Sequence, residues 1–193
     1  MRIRKVKEEI RVIGIDDAPF IPHSKGSVRV FGVITRGNYR VDGIEQTKIE
    51  IDGFDATEKI GEMILNSKHH GQIRIIILNG ITFGGFNVCD IKKLSKKTNR
   101  PVIVIIEHEP DLKSIKEALE KNQVNWEKKW EIFERIKLIE EIYIKKNVKP
   151  IYIHYTDQLD KRIAKKVIEK TRGLSNIPEC LRIAHLIGAS FNT

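Results

Sequence analysis

The sequence has only two cysteines, Cys89 and Cys180, and no long hydrophobic run. Two cysteines are too few for a disulfide framework, and no Cys/His spacing predicts a zinc site. No apolar stretch approaches the roughly 20 residues of a membrane-spanning helix. The first residues, MRIRKVKEEIRVIGIDD, lack the apolar centre of a signal peptide. We therefore expect a reduced, cytoplasmic protein with no membrane partner.

The composition is that of a globular chain with an excess of basic residues. Of the 193 residues, 40% are hydrophobic and 32% are charged, and the formal net charge is +9. This length predicts a single domain, residues 1–193, with a substantial core. A basic protein attracts polyanions, so nucleic acid is the first partner to consider. Alternatively, the charge serves solubility alone, and nothing in the sequence predicts an oligomeric state.

The first third of the chain predicts three short strands. Apolar runs cover Arg11 to Asp16 and Val28 to Thr35, and an apolar-polar alternation covers Ile44 to Ile51. Their short connections predict an antiparallel meander. A helical pattern follows, with Asp55 or Thr57 as its capping residue.

The rest of the chain alternates strands and helices. A buried, β-branched strand from Ile73 to Leu78 ends abruptly at Asn79-Gly80. We predict further strands at Pro101 to Ile106 and Pro150 to Tyr155, and helices at Val88 to Lys97, Asp111 to Leu119, Trp126 to Ile139, Leu159 to Lys170 and Glu179 to Ala189. This order predicts an α/β protein with a ribonuclease H-like fold. Its mixed sheet has three antiparallel strands followed by parallel strands, flanked by helices.

Three oxygen-bearing side chains are candidates for a metal site. Asp16 ends the first strand, Asn79 ends the central strand, and Glu58 lies in the first turn of the first helix. Parallel strands place their carboxyl ends at one edge, so Asp16 and Asn79 are predicted neighbours. Such side chains suit Mg²⁺, with Mn²⁺ as a substitute, and make all three candidate catalytic residues. Other acids could supplement them: Asp17, Asp52, Asp55 and Asp90.

Each of these acids also has a purely structural interpretation. Asp16 and Asp17 could form a strand-end turn, and Glu58 is favourably placed near a helix N-terminus. Asn79 brings no charge to a metal.

A glycine-rich turn and a basic tail are candidates for phosphate binding. The turn contains Gly84, Gly85 and Asn87, and two glycines let backbone N–H groups approach an anion closely. The alternative is a tight strand-to-helix connection. Basic residues of the tail could contact a nucleic-acid backbone or simply form solvated helix faces; they are Lys161, Arg162, Lys165, Lys166, Lys170, Arg172 and Arg182.

Several motifs together give the chain a family resemblance over nearly its whole length. They are Gly14-Ile15-Asp16-Asp17, Val41-Asp42-Gly43, Asp52-Gly53-Phe54-Asp55-Ala56-Thr57-Glu58, Leu78 to Asn87, Asn176-Ile177-Pro178-Glu179 and Leu181-Arg182-Ile183-Ala184-His185. This pattern resembles the mainly archaeal family known as domain of unknown function ninety-nine, whose members are described as endonuclease V-like.

The more distant likeness to endonuclease V implies a chemistry. That family cleaves deaminated, inosine-containing nucleic acid with Mg²⁺; its first aspartate matches Asp16 and its glutamate matches Glu58, whereas its second aspartate falls on Asn79. The family's tyrosine-containing wedge corresponds to the segment around Phe54, which could substitute for it or pack in a turn. The family's late histidine lies one position from His154 in this sequence.

Three functions remain open from the sequence. The first is a metal-dependent nuclease, weakened by Asn79 in place of an acid. The second is a non-catalytic nucleic-acid-binding protein on a degenerate nuclease fold. The third is a protein-interaction or small-molecule role, with charge serving solubility.

Overall fold

A seven-stranded sheet forms the centre of the molecule. The computed structural model describes residues 3, 5–136, 139–144 and 149–191. The strands of this sheet are β1 (Arg11–Asp17), β2 (Ser27–Arg36), β3 (Arg40–Glu50), β4 (Ile75–Asn79), β7 (Val102–Ile106), β8 (Glu140–Ile142) and β9 (Ile151–Tyr155). Two short strands, β5 (Thr82–Phe83) and β6 (Asn87–Val88), form a separate small hairpin. The order across the main sheet is β3-β2-β1-β4-β7-β9-β8.

The pairing of the strands divides the sheet into three parts. Strands β1, β2 and β3 form an antiparallel meander. Strand β4 lies parallel to both β1 and β7, so these three strands end at the same edge. Strands β9 and β8 complete the sheet in antiparallel fashion. We call the edge where β1, β4 and β7 end the carboxyl edge.

Six helices cover the two faces of the sheet in the described part of the chain. They are α1 (Ala56–Asn66), α2 (Ile91–Thr98), α3 (Leu112–Asn122), α4 (Trp126–Glu134), α5 (Lys161–Thr171) and α6 (Glu179–Ala189). Buried residues of α1 to α4 belong to one hydrophobic cluster, and buried residues of α5 and α6 belong to a second.

This layering explains why the central strands are apolar without alternation. In β4, Ile76 and Leu78 belong to the first cluster, whereas Ile75 and Ile77 belong to the second. All four side chains are fully buried. A strand covered on both faces has no solvent side and therefore contains no alternating polar positions.

The structure confirms the α/β, ribonuclease H-like architecture and the parallel pairing of the first and central strands. One part of the predicted topology was wrong, because the last strand, β9, runs antiparallel to β7. The cause is β8, a three-residue strand that the sequence pattern did not predict. Strand β8 pairs antiparallel with β9 at the edge of the sheet.

Several predicted helix boundaries also differ, among them the start of α2 and the end of α4. Val88 pairs with Thr82 in the small hairpin, so α2 starts only at Ile91, where the Asp90 carboxylate accepts hydrogen bonds from two helix N–H groups. Helix α4 ends at Glu134; Lys137 and Leu138, within the predicted helix, lie outside the described residues.

Trp126 and Trp130 pack against the first hydrophobic cluster, as core packing predicted. In the described ranges, no helix is both long enough and apolar enough to cross a bilayer.

The contact between β1 and α6 depends on the absence of a side chain at Gly14. A Cβ atom there would lie 2.6 Å from the backbone carbon of Cys180 and 2.7 Å from the backbone nitrogen of Leu181. We expect Gly14→Ala to push α6 away from the sheet and to lower the free energy of unfolding by about 1–3 kcal/mol, measured by urea denaturation.

Gly71→Ala is the control, because a Cβ at Gly71 meets nothing within 4 Å. Equal stability losses in the two variants would contradict the close packing of α6 on β1.

Candidate functional site

Asp16 and Asn79 lie side by side at the carboxyl edge. The parallel register pairs Ile15 with Leu78, which makes the next residues, Asp16 and Asn79, neighbours. The Nδ2 atom of Asn79 donates a hydrogen bond of 3.1 Å to Oδ1 of Asp16. Asp16 is 4% exposed, so this contact occurs in a largely water-excluded position.

His185 is the third member of this cluster. Its Nδ1 atom lies 3.1 Å from Oδ2 of Asp16, and two-thirds of its side chain is exposed. Cys180, Ala184 and Gly188 form the buried stripe of α6, and His185 directly follows Ala184. The packing of this stripe on β1 thereby aims the imidazole at Asp16.

In the sequence, His185 belongs to a family motif, but the motif alone predicts no role for it at the site. The available signal was the spacing of Cys180, Ala184 and Gly188, three small or buried residues four apart, which marks a face that packs closely.

Burial dominates the electrostatics of the two adjacent aspartates. It raises the pKa of Asp16 above the usual value, although hydrogen bonds from Asn79 and His185 act in the opposite direction. Burial also raises the pKa of Asp17 to about 6, against a hydrogen bond from the backbone of Gly84. Asp17 and Asp16 repel each other, which adds to the effect at Asp17. The carboxyl edge therefore contains two carboxyl groups whose charge is incompletely compensated.

The glycine-rich turn is held by two carboxylates. The backbone N–H of Gly84 donates to Oδ2 of Asp17 at 2.6 Å, and that of Phe86 donates to Oδ1 of Asp52 at 2.8 Å. Gly85 has a φ of 85°, and a Cβ there would lie 2.3 Å from Oδ1 of Asp52, so only glycine fits. The N–H groups of Gly84 and Phe86 are therefore engaged by carboxylates within the protein.

Asn87 has a structural set of contacts. Its side chain is fully buried; Oδ1 accepts from the N–H of Ala56 at 2.9 Å, and Nδ2 donates to Asp55 and to the carbonyl of Glu50. These bonds tie the turn to the start of α1.

Arg182 is paired with Glu179 in the same helix. The phosphate-binding roles of Gly84, Gly85, Asn87 and Arg182 stay predictions.

Glu58 does not contact the Asp16 cluster in the described structure. Its carboxylate pairs with Lys97 across the packing of α1 on α2, and its side chain is 60% exposed. Asp90 caps α2 and pairs with Arg135. Of the supplementary acids, only Asp17 adjoins Asp16.

The donor set at the carboxyl edge fits a hard divalent cation. The Asp16 carboxylate is buried and incompletely compensated, and Asn79 offers an amide oxygen after rotation of its side chain. A third ligand is less evident: within the described ranges, no group of three or more His, Cys, Asp or Glu side chains has the arrangement of a metal site. Glu58 would have to leave Lys97 in order to join Asp16 and Asn79.

An apolar cavity lies at the carboxyl edge, on the side of the sheet that α3 and α4 cover. Its volume is about 180 Å³, and it lies between the ends of β4 and β7 and the helices α3 and α4. Gly80, Ile81 and Thr82 form one wall, and Phe86, Ile115 and Phe133 belong to the others. Thr82, which carries a hydroxyl group, belongs to this mainly apolar lining. The cavity therefore offers space for a flat ring at the carboxyl edge, on the opposite face of the sheet from the side chains of Asp16 and Asn79.

Two residues suggested by the family resemblance lie elsewhere. His154 is in β9, opposite Val104, and it lines a polar groove with Glu140 rather than the cluster around Asp16. Phe54 is 53% exposed, and Nζ of Lys129 lies 4.5 Å from the centre of its ring. Phe54 is therefore a surface aromatic at the turn before α1.

The chain matches known proteins over nearly its full length. The model of the Endonuclease dU family matches residues 8–192. A UPF0215 protein of Methanothermobacter thermautotrophicus is 42% identical over 186 residues, which are 96% of this chain and 89% of that protein.

Solved structures extend the comparison. The crystal structure of a protein of unknown function from Archaeoglobus fulgidus has a TM-score of 0.81 and 36% identity, and the match covers 93% of this chain and 96% of that one. Endonuclease V from Ciona intestinalis, in complex with a 24mer DNA containing an inosine followed by a ribo-adenosine, has a TM-score of 0.57 and 14% identity. That match covers 90% of this chain and 82% of the endonuclease, and it shows a shared fold.

The raised pKa of Asp17 predicts a pH-dependent stability. A carboxyl group with a folded pKa of about 6 holds a proton that the unfolded chain has already released above pH 4. The stabilisation is complete at low pH and is lost as the pH rises through about 6. We expect wild type to lose on the order of 2 kcal/mol relative to Asp17→Asn between pH 4 and 7.

Urea denaturation at several pH values, with EDTA present, measures this difference. Asp157→Asn, at an exposed carboxyl group, is the control and should parallel the wild type. Parallel curves for wild type and Asp17→Asn would contradict the burial effect at Asp17.

Proposed function

The chain belongs to the Endonuclease dU family, and we propose that it is a divalent-metal-dependent endonuclease acting on nucleic acid with a deaminated base. The family's name points to deoxyuridine as the first substrate to test. Asp16 and Asn79 would hold the metal, with Glu58 joining them when the nucleic acid binds. The bound cation would activate water and stabilise the leaving oxygen.

The observation that carries this proposal is the Asp16–Asn79 pair at the carboxyl edge. Ligands of open α/β sheets bind beyond the carboxyl ends of parallel strands, and Asp16 is buried there with incompletely compensated charge. His185, in contact with Asp16 and largely exposed, would orient that carboxylate.

The apolar cavity supports a flipped-base mode of binding. Enzymes that act at a single base extrude it from the stack and hold it between apolar side chains. The cavity is lined by Gly80, the residue after Asn79, at the carboxyl edge. A strand that crosses this edge would place a base in the cavity and the adjoining backbone near Asp16. The hydroxyl of Thr82 would supply a hydrogen bond to the polar edge of the base. The net charge of +9 would attract the nucleic-acid backbone.

One observation favours a second function, non-catalytic nucleic-acid binding. Asn79 uses its amide N–H to satisfy Asp16, which a carboxylate at the same place could not do. The pair is thus stable without a metal. On this alternative, binding is strongly salt-dependent and no strand is cut.

The first experiment measures metal binding and strand cleavage together. Mg²⁺ and Mn²⁺ are titrated calorimetrically into wild type, Asp16→Ala and Asn79→Asp, and each protein is incubated with oligonucleotides containing deoxyuridine, deoxyinosine or neither. We expect wild type to cut the deoxyuridine strand, and Asp16→Ala to lose both metal binding and cleavage. Asn79→Asp adds a charge beside Asp16 and should bind metal at least about 10-fold more tightly.

Asn66→Asp is the matched control for Asn79→Asp, because it adds the same charge at the far end of α1. Metal affinity that rises equally in both variants would contradict a site at Asn79. Salt-sensitive oligonucleotide binding with neither metal binding nor cleavage would favour the second function.

The cavity predicts a separate class of variant. Ile115→Trp should fill the apolar cavity and abolish discrimination between deoxyuridine-containing and unmodified strands, because no base could enter. Metal affinity should be unchanged, since Ile115 does not contact Asp16. Val124→Trp, at a position 84% exposed between α3 and α4, controls for the added indole. Undiminished discrimination in Ile115→Trp would show that the cavity does not receive the base.

A further inference from the structure

A second groove, lined mainly by basic side chains, lies at the opposite edge of the sheet. Its volume is about 370 Å³, and its polar lining consists of Lys5, Lys7, Glu9, Arg11, Gln72 and Arg74. We call it the basic groove. Four cationic side chains and one acidic side chain therefore face the same space.

The strands separate the basic groove from the candidate active site. Arg11 is the first residue of β1, and the N–H of Arg74, just before β4, donates to the carbonyl of Arg11 at 2.9 Å. Asp16 lies five residues further along β1. At about 3.3 Å per residue, the groove is roughly 17 Å from that carboxylate. It is thus a distinct surface, formed where the parallel strands begin.

Three of the four cations in the groove are uncompensated. In the ranges of the chain that the structure describes, no carboxylate forms an ion pair with Lys5, Lys7 or Arg74. Their side chains are exposed at the mouth of the groove. On α5, by contrast, Lys161 and Lys170 each pair with a glutamate.

The acids near the groove are shared among several cations. Arg11 bonds to Asp42 at 2.6 Å, but Asp42 also pairs with Arg36 at 3.3 Å and with Arg40 at 3.4 Å. One carboxylate thus serves three guanidinium groups. The carboxylate of Glu9 accepts a hydrogen bond from the hydroxyl of Tyr39. The acids therefore leave a net positive charge around the groove.

A buried arginine adds to the positive charge around the groove. Arg100 is 9% exposed and donates only to backbone carbonyls, those of Ile73, Asn99 and His70. Burial lowers its pKa, and the charge of Arg74 lowers it further. Two cations repel each other here with no carboxylate between them, an arrangement that an anion in the groove would relieve.

We propose that the basic groove is an anion site that binds a phosphate group. Lysine ammonium groups neutralise phosphate charge, and the guanidinium of Arg74 can donate two parallel hydrogen bonds to its oxygens. The phosphate belongs either to a nucleic-acid strand, as a second contact surface, or to a free nucleotide or pyrophosphate. This site requires neither metal nor cleavage, so it stands independently of the proposed function.

Calorimetric titration of the full chain tests the site. The titrations are made in EDTA, one with pyrophosphate and one with an unmodified 12-nucleotide single strand. We expect Lys7→Ala/Arg74→Ala to weaken binding at least about 10-fold. For the strand, the dependence of log affinity on log salt should flatten by about one to two, as two phosphate contacts are lost. Loss confined to the strand identifies a nucleic-acid backbone, and loss for pyrophosphate identifies a free phosphate ligand.

Lys121→Ala/Lys128→Ala is the matched control, because it removes two positive charges from exposed positions of α3 and α4, away from the groove. Its affinities should remain within about twofold of the wild type. If both double variants bind the probes equally weakly, the loss of affinity comes from the lower net charge alone, and the proposed anion site is wrong. Absence of binding of either probe to the wild type would also overturn it. Thermal melting of both variants verifies that these surface changes leave the fold intact.

Discussion

The parallel pairing of β1 with β4, buried on both faces, is the constraint on which the rest of the structure depends. Strands β2 and β7 flank the pair, and the helices on the two faces of the sheet bury its apolar side chains. Because the two strands end together, their terminal polar residues are forced into contact at the carboxyl edge. The register of the two strands is therefore enough to bring Asp16 and Asn79 into contact.

Around this pair, carboxylates serve two purposes. Asp17 and Asp52 hold the glycine-rich turn by accepting its N–H groups, and Asp55 ties that turn to the start of α1 through Asn87. Asp16 instead contacts side chains, those of Asn79 and His185, and burial raises its pKa because these contacts only partly offset the loss of water. The neighbouring acids thus mainly hold the turn and the helix starts in place, and the buried Asp16 and the half-buried Asn79 are left as the candidates for chemistry.

Much of the fold could be predicted because its cause is local. The β-branched runs of β1, β4 and β7 and the caps of α2 and α3 are visible in the residues themselves. The misjudged element was β8, whose three residues are too few to display any period. Without it, the antiparallel direction of β9 had no sequence signal.

The sequence by itself determined the class of fold and the polar residues that end its central strands, since both follow from hydrophobic patterning along the chain. Only the tertiary structure decided which residues surround them. Packing of the small residues of α6 on Gly14 aims His185 at Asp16, although 169 residues separate the two. The packing of α1 on α2 likewise brings Glu58 into an ion pair with Lys97. The pairing of β1 with β4 brings the cationic side chains of the basic groove together where these strands begin. Contacts between distant segments depend on how whole faces fit together, and no short stretch of sequence records that fit.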